Sequence, residues 1–288
     1  MKNVRLLDGA MGTELMARGL ALGTATILWN LTEPEKVAEV HRTYMRAGSQ
    51  AVLTNTFGGS ALALKRYGLA HRMRELNLRG AEIARSAAGP ERIVFGDIGP
   101  CTELMEPYGD LTTDDVSDSA FSQGLALKEG GVNCFLIETV ADLSEVTATI
   151  DGLLPHKLPI WATYTFDRTP EGPRTMLGST PLEAVSAAFA AGAYGSGANC
   201  GTSLTLNDYL EIGASLAQAF PGQPLMLQPN AGQPEMTPDG PMYRTDADDF
   251  AKFAEQAWSM GIQVVGGCCG TRSCHVEGMA SRLLKPSE

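Results

Sequence analysis

Gly261-Ile262-Gln263-Val264-Val265-Gly266-Gly267-Cys268-Cys269-Gly270-Thr271 follows an amphipathic segment at residues 250–260. It reads as a helix stopped by glycine, a short β-rich run, and a polar end clamped by glycines. The same unit occurs three times earlier. Residues 37–48 precede Ala51-Val52-Leu53-Thr54-Asn55, residues 121–131 precede Cys134-Phe135-Leu136-Ile137-Glu138, and residues 182–192 precede residues 194–199. A glycine at a helix C-terminus takes the left-handed conformation that ends the helix and turns the chain back. Gly48, Gly131, Gly192 and Gly261 are placed for that role. Thr180-Pro181-Leu182-Glu183 and Thr32-Glu33-Pro34-Glu35 both read as capping boxes opening helices.

With the less regular segments added, eight candidate strands end near Asp8, Asn55, Asp97, Glu138, Thr165, Asn199, Gln228 and Gly267. Each precedes a plausible helix, at intervals of roughly 30 to 45 residues, the signature of a (β/α)8 TIM barrel. The expected fold is therefore α/β, a single barrel over residues 1–288 without a domain boundary. The rival is a doubly wound open sheet, which calls for a G-x-G-x-x-G loop after the first strand. Asp8-Gly9-Ala10-Met11-Gly12-Thr13 does not match it. A barrel works at the C-terminal ends of its strands. Those ends carry Asp8, Asn55, Thr56, Asp97, Glu138, Asn199, Cys200, Asn230, Cys268 and Cys269, so polar and metal-binding residues collect on one face.

Composition narrows the chemistry further. A formal charge of −11 argues against nucleic acid or an anionic membrane as partner. Met1-Lys2-Asn3-Val4-Arg5 runs directly into a strand-like segment without a signal-peptide core, and no apolar run is long enough to span a bilayer. The expected location is the cytoplasm. Six cysteines without a disulfide-like spacing point to metal binding or catalysis.

Cys200, at the sixth strand end, and Cys268 with Cys269, at the eighth, supply three thiolates from two nearby places. That is the inventory of a zinc site with one open position, and an open position implies chemistry. Adjacent cysteines on a regular strand point to opposite faces. Gly266, Gly267 and Gly270 are therefore expected to provide the backbone freedom that brings both sulfurs to one centre. Buried free thiols and a vicinal disulfide are the competing readings, and neither accounts for the flanking glycines. Three thiolates make a poor hydroxide generator but suit the activation of an incoming thiol. Cys134 reads as core, and Cys101 and Cys274, just beyond the third and eighth strand ends, as incidental thiols, with a redox or accessory role as the alternative.

These residues resemble the homocysteine S-methyltransferase family over essentially the whole chain. The resemblance lies in Leu7-Asp8-Gly9-Ala10-Met11-Gly12-Thr13-Glu14-Leu15, Leu53-Thr54-Asn55-Thr56-Phe57, Gly96-Asp97-Ile98-Gly99-Pro100, Ile137-Glu138-Thr139, Gly197-Ala198-Asn199-Cys200, Pro229-Asn230-Ala231-Gly232 and the Gly266 to Thr271 motif. It is strongest to the homocysteine-binding region of cobalamin-dependent methionine synthases. The resemblance implies a barrel holding zinc on Cys200, Cys268 and Cys269, with the homocysteine sulfur in the fourth position. It also implies that Asp8 and Glu138 bind the homocysteine amino group, that amides near Gly9 and Ala10 bind its carboxylate, and that Asn230 can occupy the fourth position without substrate. Asn55 and Asn199 join the substrate-binding set. Gly99-Pro100-Cys101-Thr102 and Thr271-Arg272-Ser273-Cys274-His275 depart from the family pattern. Tyrosines of betaine-using relatives are replaced by Gly59 or Ser60 and by Thr139. The end of the sequence soon after the eighth helix leads to the expectation of a protein without the C-terminal oligomerisation arm of animal betaine enzymes and without the folate, cobalamin and reactivation modules of full-length methionine synthase.

The expected activity is zinc-dependent methyl transfer to the thiolate of L-homocysteine, giving methionine. The donor is a small sulfonium or ammonium compound of the S-methylmethionine or betaine type. An alternative is the homocysteine-activating component of a corrinoid system, with methylcobalamin presented by a partner protein. A second alternative is a non-catalytic zinc and thiol-binding module. The donor is expected to enter over Trp29 and the loops after the third, fifth and seventh strands. Trp29 either faces the cationic donor, worth about 0.5–2 kcal/mol, or anchors the first loop.

Overall fold

The protein is described by a computed structural model covering residues 4–237 and 240–284. The expected unit 1–288 and the reading of Met1-Lys2-Asn3 extend beyond those described residues. The parallel strands are β1 (Ala51–Leu53), β2 (Ile93–Ile98), β3 (Cys134–Val140) and β4 (Ile160–Tyr164). After β4 comes an antiparallel pair, β5 (Asp167–Thr169) with β6 (Gly172–Arg174). Next are β7 (Gly195–Cys200) and β8 (Leu225–Pro229), then a second antiparallel pair, β9 (Glu235–Thr237) with β10 (Gly240–Met242), and finally β11 (Val264–Val265). The seven parallel strands form one sheet in the order β1-β2-β3-β4-β7-β8-β11.

Residues 5–7 occupy the gap between its two edges. Leu6 bridges Val265 in parallel. The Leu7 N–H donates to the Val265 carbonyl at 2.8 Å, and the Val265 N–H to the Arg5 carbonyl at 2.9 Å. On the other side the Gln50 N–H donates to the Leu6 carbonyl at 2.9 Å. The eighth stave is present, but as a single bridge, because the chain turns away into a helix at Met11–Ala17.

Side chains alternate across the sheet as strand geometry requires. Leu7, Ala51, Phe95, Cys134, Leu136, Trp161, Met226 and Val264 form one cluster, the barrel interior. Their chain neighbours Leu6, Val52, Val94, Phe135, Ile137 and Val265 belong to the larger cluster beneath the helices. Helices Pro34–Arg46, Thr113–Glu129, Pro181–Ala190 and Ala247–Ser259 end before Gly48, Gly131, Gly192 and Gly261, all at positive φ (107°, 93°, 103° and 99°). The Thr180–Glu183 capping box forms as expected. The Thr32–Glu35 box does not: helix Pro34–Arg46 starts at Glu33 without a side-chain cap. Thr32 ends a preceding short helix, Trp29–Thr32, and its hydroxyl donates back to the Leu28 carbonyl at 3.2 Å. The hydroxyl is spent on the helix behind it. Among the described residues no helix is long and apolar enough to cross a membrane.

Candidate metal centre

Interior parity carries the functional groups upward. On β2 the run Ile93, Phe95, Asp97 faces inward, and on β3 the run Cys134, Leu136, Glu138 does so, so each strand ends its inner face in a carboxylate. On β7, Ala198 packs outward against the helices. Strict alternation would send Cys200 the same way. Instead Cys200 adopts φ 55°, a left-handed conformation rare for a residue with a Cβ. The local cost of about 1 kcal/mol or more is met by surrounding contacts. The Tyr209 hydroxyl donates to the Cys200 carbonyl, and Gly201 continues the turn at φ 80°.

The second pair of sulfurs comes from a turn past the end of β11. The Gly267 N–H donates to the Asp8 carbonyl at 3.0 Å, and the Cys268 N–H to the Pro229 carbonyl at 2.8 Å. The turn closes with the Thr271 N–H on the Cys268 carbonyl at 3.1 Å. Gly270 alone of the three flanking glycines has positive φ, 78°. Gly267 is needed for space, since a Cβ there would lie 2.4 Å from the Thr271 hydroxyl. Gly266 is crowded in the same way, by Leu7 at 2.9 Å. The expected backbone freedom is thus used once, and close approach explains the other two.

The Sγ atoms of Cys200, Cys268 and Cys269 all lie within 4.8 Å of one another, with Cys200 and Cys269 4.0 Å apart. A tetrahedral zinc with bonds of about 2.3 Å spaces its sulfurs about 3.8 Å apart, so the donor set fits such an ion. Interaction with the Cys200 and Cys268 thiols, and then with the Tyr243 hydroxyl, lowers the Cys269 pKa from the ordinary thiol value. The other cysteines stand apart. Cys134 is interior core, Cys101 packs with Leu62, Met105 and Leu111, and Cys274 is exposed.

Beside the sulfurs lies a cavity of about 370 Å³. Asp8, Gly9, Ala10, Asn55, Asp97, Glu138, Thr139, Cys200, Cys268 and Cys269 line it, and Met11, Met16, Phe57, Pro241 and Tyr243 supply apolar walls. No lysine or arginine is among the lining residues. Burial raises the Asp8 pKa to about 8 against the pull of a hydrogen bond from the Leu53 N–H. Glu138 also rises to about 8, first through burial and then through the charges of Cys269 and Asp8. Asp97 is raised by burial and by the charges of Glu138 and Asp8.

Asn199 ties the carboxylates to the sulfurs. Its Nδ2 donates to Glu138 Oε2 at 3.2 Å and to Thr139 Oγ1 at 2.7 Å, and stands 3.9 Å from Cys268 Sγ. Its Oδ1 accepts the Thr139 N–H at 2.8 Å, holding that residue at φ 61°. Asn199 does not line the cavity; it positions groups that do. Asn55 lines the cavity, but its Nδ2 is taken up by the Thr26 carbonyl and Asn30 Oδ1, each at 2.9 Å. Asn230 donates to the Gly201 carbonyl at 3.1 Å and leaves Oδ1 buried without a partner beside the cysteine turns.

Two expected contacts come out differently. Trp29 is buried away from the cavity lining, and the Lys36 ammonium sits 4.6 Å from its ring centroid. The cation on its face belongs to the protein, because the helix Pro34–Arg46 brings Lys36 over it. The Ala10 N–H is already donated to Thr271 Oγ1 at 3.0 Å. Gly9 and the start of helix Met11–Ala17, which has no side-chain cap, line the cavity beside it. Sequence reasoning also assigned nothing to Tyr243, which follows the β9–β10 pair. A lone tyrosine beyond a hairpin carries no spacing signal.

A profile of the family described as homocysteine S-methyltransferase matches residues 5–283. The chain is 32% identical over 303 residues to methionine synthase of Mycobacterium tuberculosis, aligning 98% of this chain with 25% of that protein. To methionine synthase of Mycobacterium leprae it is 31% identical over 305 residues, 99% of this chain and 24% of the relative. The chain therefore spans about a quarter of the length of these relatives. The metallated form of homocysteine methyltransferase MmuM from Escherichia coli shares the fold, with a TM-score of 0.80 and 24% identity. That alignment covers 97% of this chain and 96% of that one.

Proposed function

Because the chain belongs to the homocysteine S-methyltransferase family, we propose that its cavity binds L-homocysteine and directs methyl transfer onto the sulfur, giving methionine. The observation that carries the reading is the pairing of a three-sulfur cluster with buried carboxylates in one cavity without lysine or arginine. Such a cavity suits a ligand that brings both a thiol and a cation. Zinc on Cys200, Cys268 and Cys269 would supply an open position at which a thiol is held deprotonated below its usual pKa of about 8.5.

The rest is done by the chain. Asp8 and Glu138 accept hydrogen bonds from the substrate ammonium, and Asn199 fixes Glu138 while doing so. The amides of Gly9 and of the following helix start face the substrate carboxylate. The two ends of homocysteine are thereby set and its sulfur is pointed at the cluster, so orientation is the main contribution to rate. Met11, Met16, Phe57 and Tyr243 keep water from the reacting sulfur.

For the donor, the proposal is a small sulfonium or ammonium compound of the S-methylmethionine or betaine type, drawn to an acidic cavity whose lining residues include no lysine or arginine. Methylcobalamin carried by a partner protein is the second reading, favoured by the match to one quarter of two methionine synthases. The test is methionine formation from homocysteine and zinc-loaded protein with betaine, S-methylmethionine, S-adenosylmethionine or methylcobalamin in turn. Product with a free onium donor supports the first reading, and product with methylcobalamin alone transfers it to the second. Homocysteine binding without product from any donor leaves a thiol-binding module and overturns the catalytic proposal.

A further inference from the structure

Among the described residues three carboxylates face the cavity, and two of them have a donor from the protein. Asp8 Oδ2 accepts the Leu53 N–H at 2.9 Å, and Glu138 Oε2 accepts from Asn199 at 3.2 Å. Asp97 is 6% exposed and its Oδ1 is buried without a hydrogen-bond partner. Its backbone, by contrast, is held on both sides. The Asp97 N–H donates to Thr54 Oγ1 at 2.9 Å, and its carbonyl accepts from Thr56 Oγ1 at 2.7 Å. The side chain is therefore fixed on the inner face of β2, lining the cavity. In the ring, β2 stands beside β3, with Asp97 level with Leu136 and one stave from Glu138. Asp8 closes the same corner from the first stave.

A buried carboxylate lacking a donor is costly and seldom retained without a use. Among the described residues no lysine or arginine lines this cavity, so the protein offers no cationic donor there and a ligand can supply one. We propose that Asp97 is a third residue binding the substrate ammonium, whose three N–H groups are shared among Asp8, Asp97 and Glu138. An ammonium has three donors and no acceptor, which matches three inward carboxylates. A quaternary ammonium donor of the betaine type has no N–H to give, so this corner favours the amino thiol over such a donor. The inference rests on the homocysteine reading above.

The experiment is calorimetric titration of zinc-loaded wild type, Asp97→Asn and Asp97→Ser. The ligands are homocysteine and its des-amino analogue, which keeps the thiol and carboxylate. Loss of a hydrogen bond to a charged partner predicts homocysteine affinity lower by about 10- to 100-fold in both variants. Affinity for the analogue is unchanged, and zinc content stays stoichiometric. Unaltered homocysteine affinity in the variants, with the wild type preferring homocysteine, overturns the role of Asp97 alone. Equal weakening for both ligands makes Asp97 a residue that shapes the cavity and also overturns the proposal. A wild type that does not distinguish the two ligands removes the ammonium site altogether, and with it the roles given to Asp8 and Glu138.

Discussion

Replacing Asn199 with alanine tests whether one amide joins the acidic and sulfur halves of the site. Asn199 is fully buried and makes hydrogen bonds to the Thr139 N–H at 2.8 Å, the Thr139 hydroxyl at 2.7 Å and the Glu138 carboxylate at 3.2 Å. The two neutral bonds contribute about 1 kcal/mol each, and the one to a carboxylate about 2 kcal/mol. Alanine also strands a Thr139 N–H whose left-handed conformation that bond supports, so the expected loss is about 3–5 kcal/mol. Equilibrium urea unfolding of zinc-loaded wild type and variant gives the stability difference. With Glu138 no longer fixed, the KM for homocysteine rises by about tenfold while zinc stays bound, since Asn199 only approaches Cys268 at 3.9 Å. A loss below about 1 kcal/mol together with an unchanged KM refutes the reasoning.

Three further outcomes follow from the same geometry. Cys269→Ser removes one of three sulfurs and is expected to abolish stoichiometric zinc by metal analysis while the far-ultraviolet spectrum stays native; full zinc and activity in the variant would count against the centre. Gly270→Ala meets both a φ of 78° and a Cβ only 2.1 Å from the Tyr243 ring, so thermal unfolding should show a loss of about 2–4 kcal/mol, whereas a neutral effect means that Tyr243 does not pack on this turn. Asp8 releases its proton near 3.8 when unfolded but near 8 when folded, so the metal- and substrate-free protein binds more protons folded and loses stability as pH rises across that window. Unfolding of Asp8→Asn over the same range should show a flatter profile, and an identical slope removes Asp8 as its source.

The barrel was legible because its cues are local: a glycine after four of the helices, and a β-rich run before each polar end. The three sulfurs were equally legible, since adjacent cysteines between glycines have few structural uses. What escaped depends on distances between staves. Thr32 satisfied a capping pattern but spends its hydroxyl on the preceding helix. Trp29 stood in a promising loop, yet its partner Lys36 is set by a helix packed over it. Asn199 looked like a substrate contact, and only the fold reveals that it reaches Glu138, Thr139 and Cys268 at once. Asp97 was visible as a polar strand end, but its missing partner is a property of the packed interior.

The ring closes on a short seam. There, β11 is two residues long and meets the first stave through the single Leu6–Val265 bridge. Cys268 and Cys269 lie just beyond that seam, while Cys200 projects from β7, two staves away. An ion held by all three would span the intervening β8 and act as a clasp on the barrel. Removing it should therefore loosen the closure first, so that amide hydrogen exchange quickens at Leu7, Val265 and Gly267 before it does along β2 or β3. The atoms proposed to prepare the substrate sulfur would then also tie the turn after the last stave to β7.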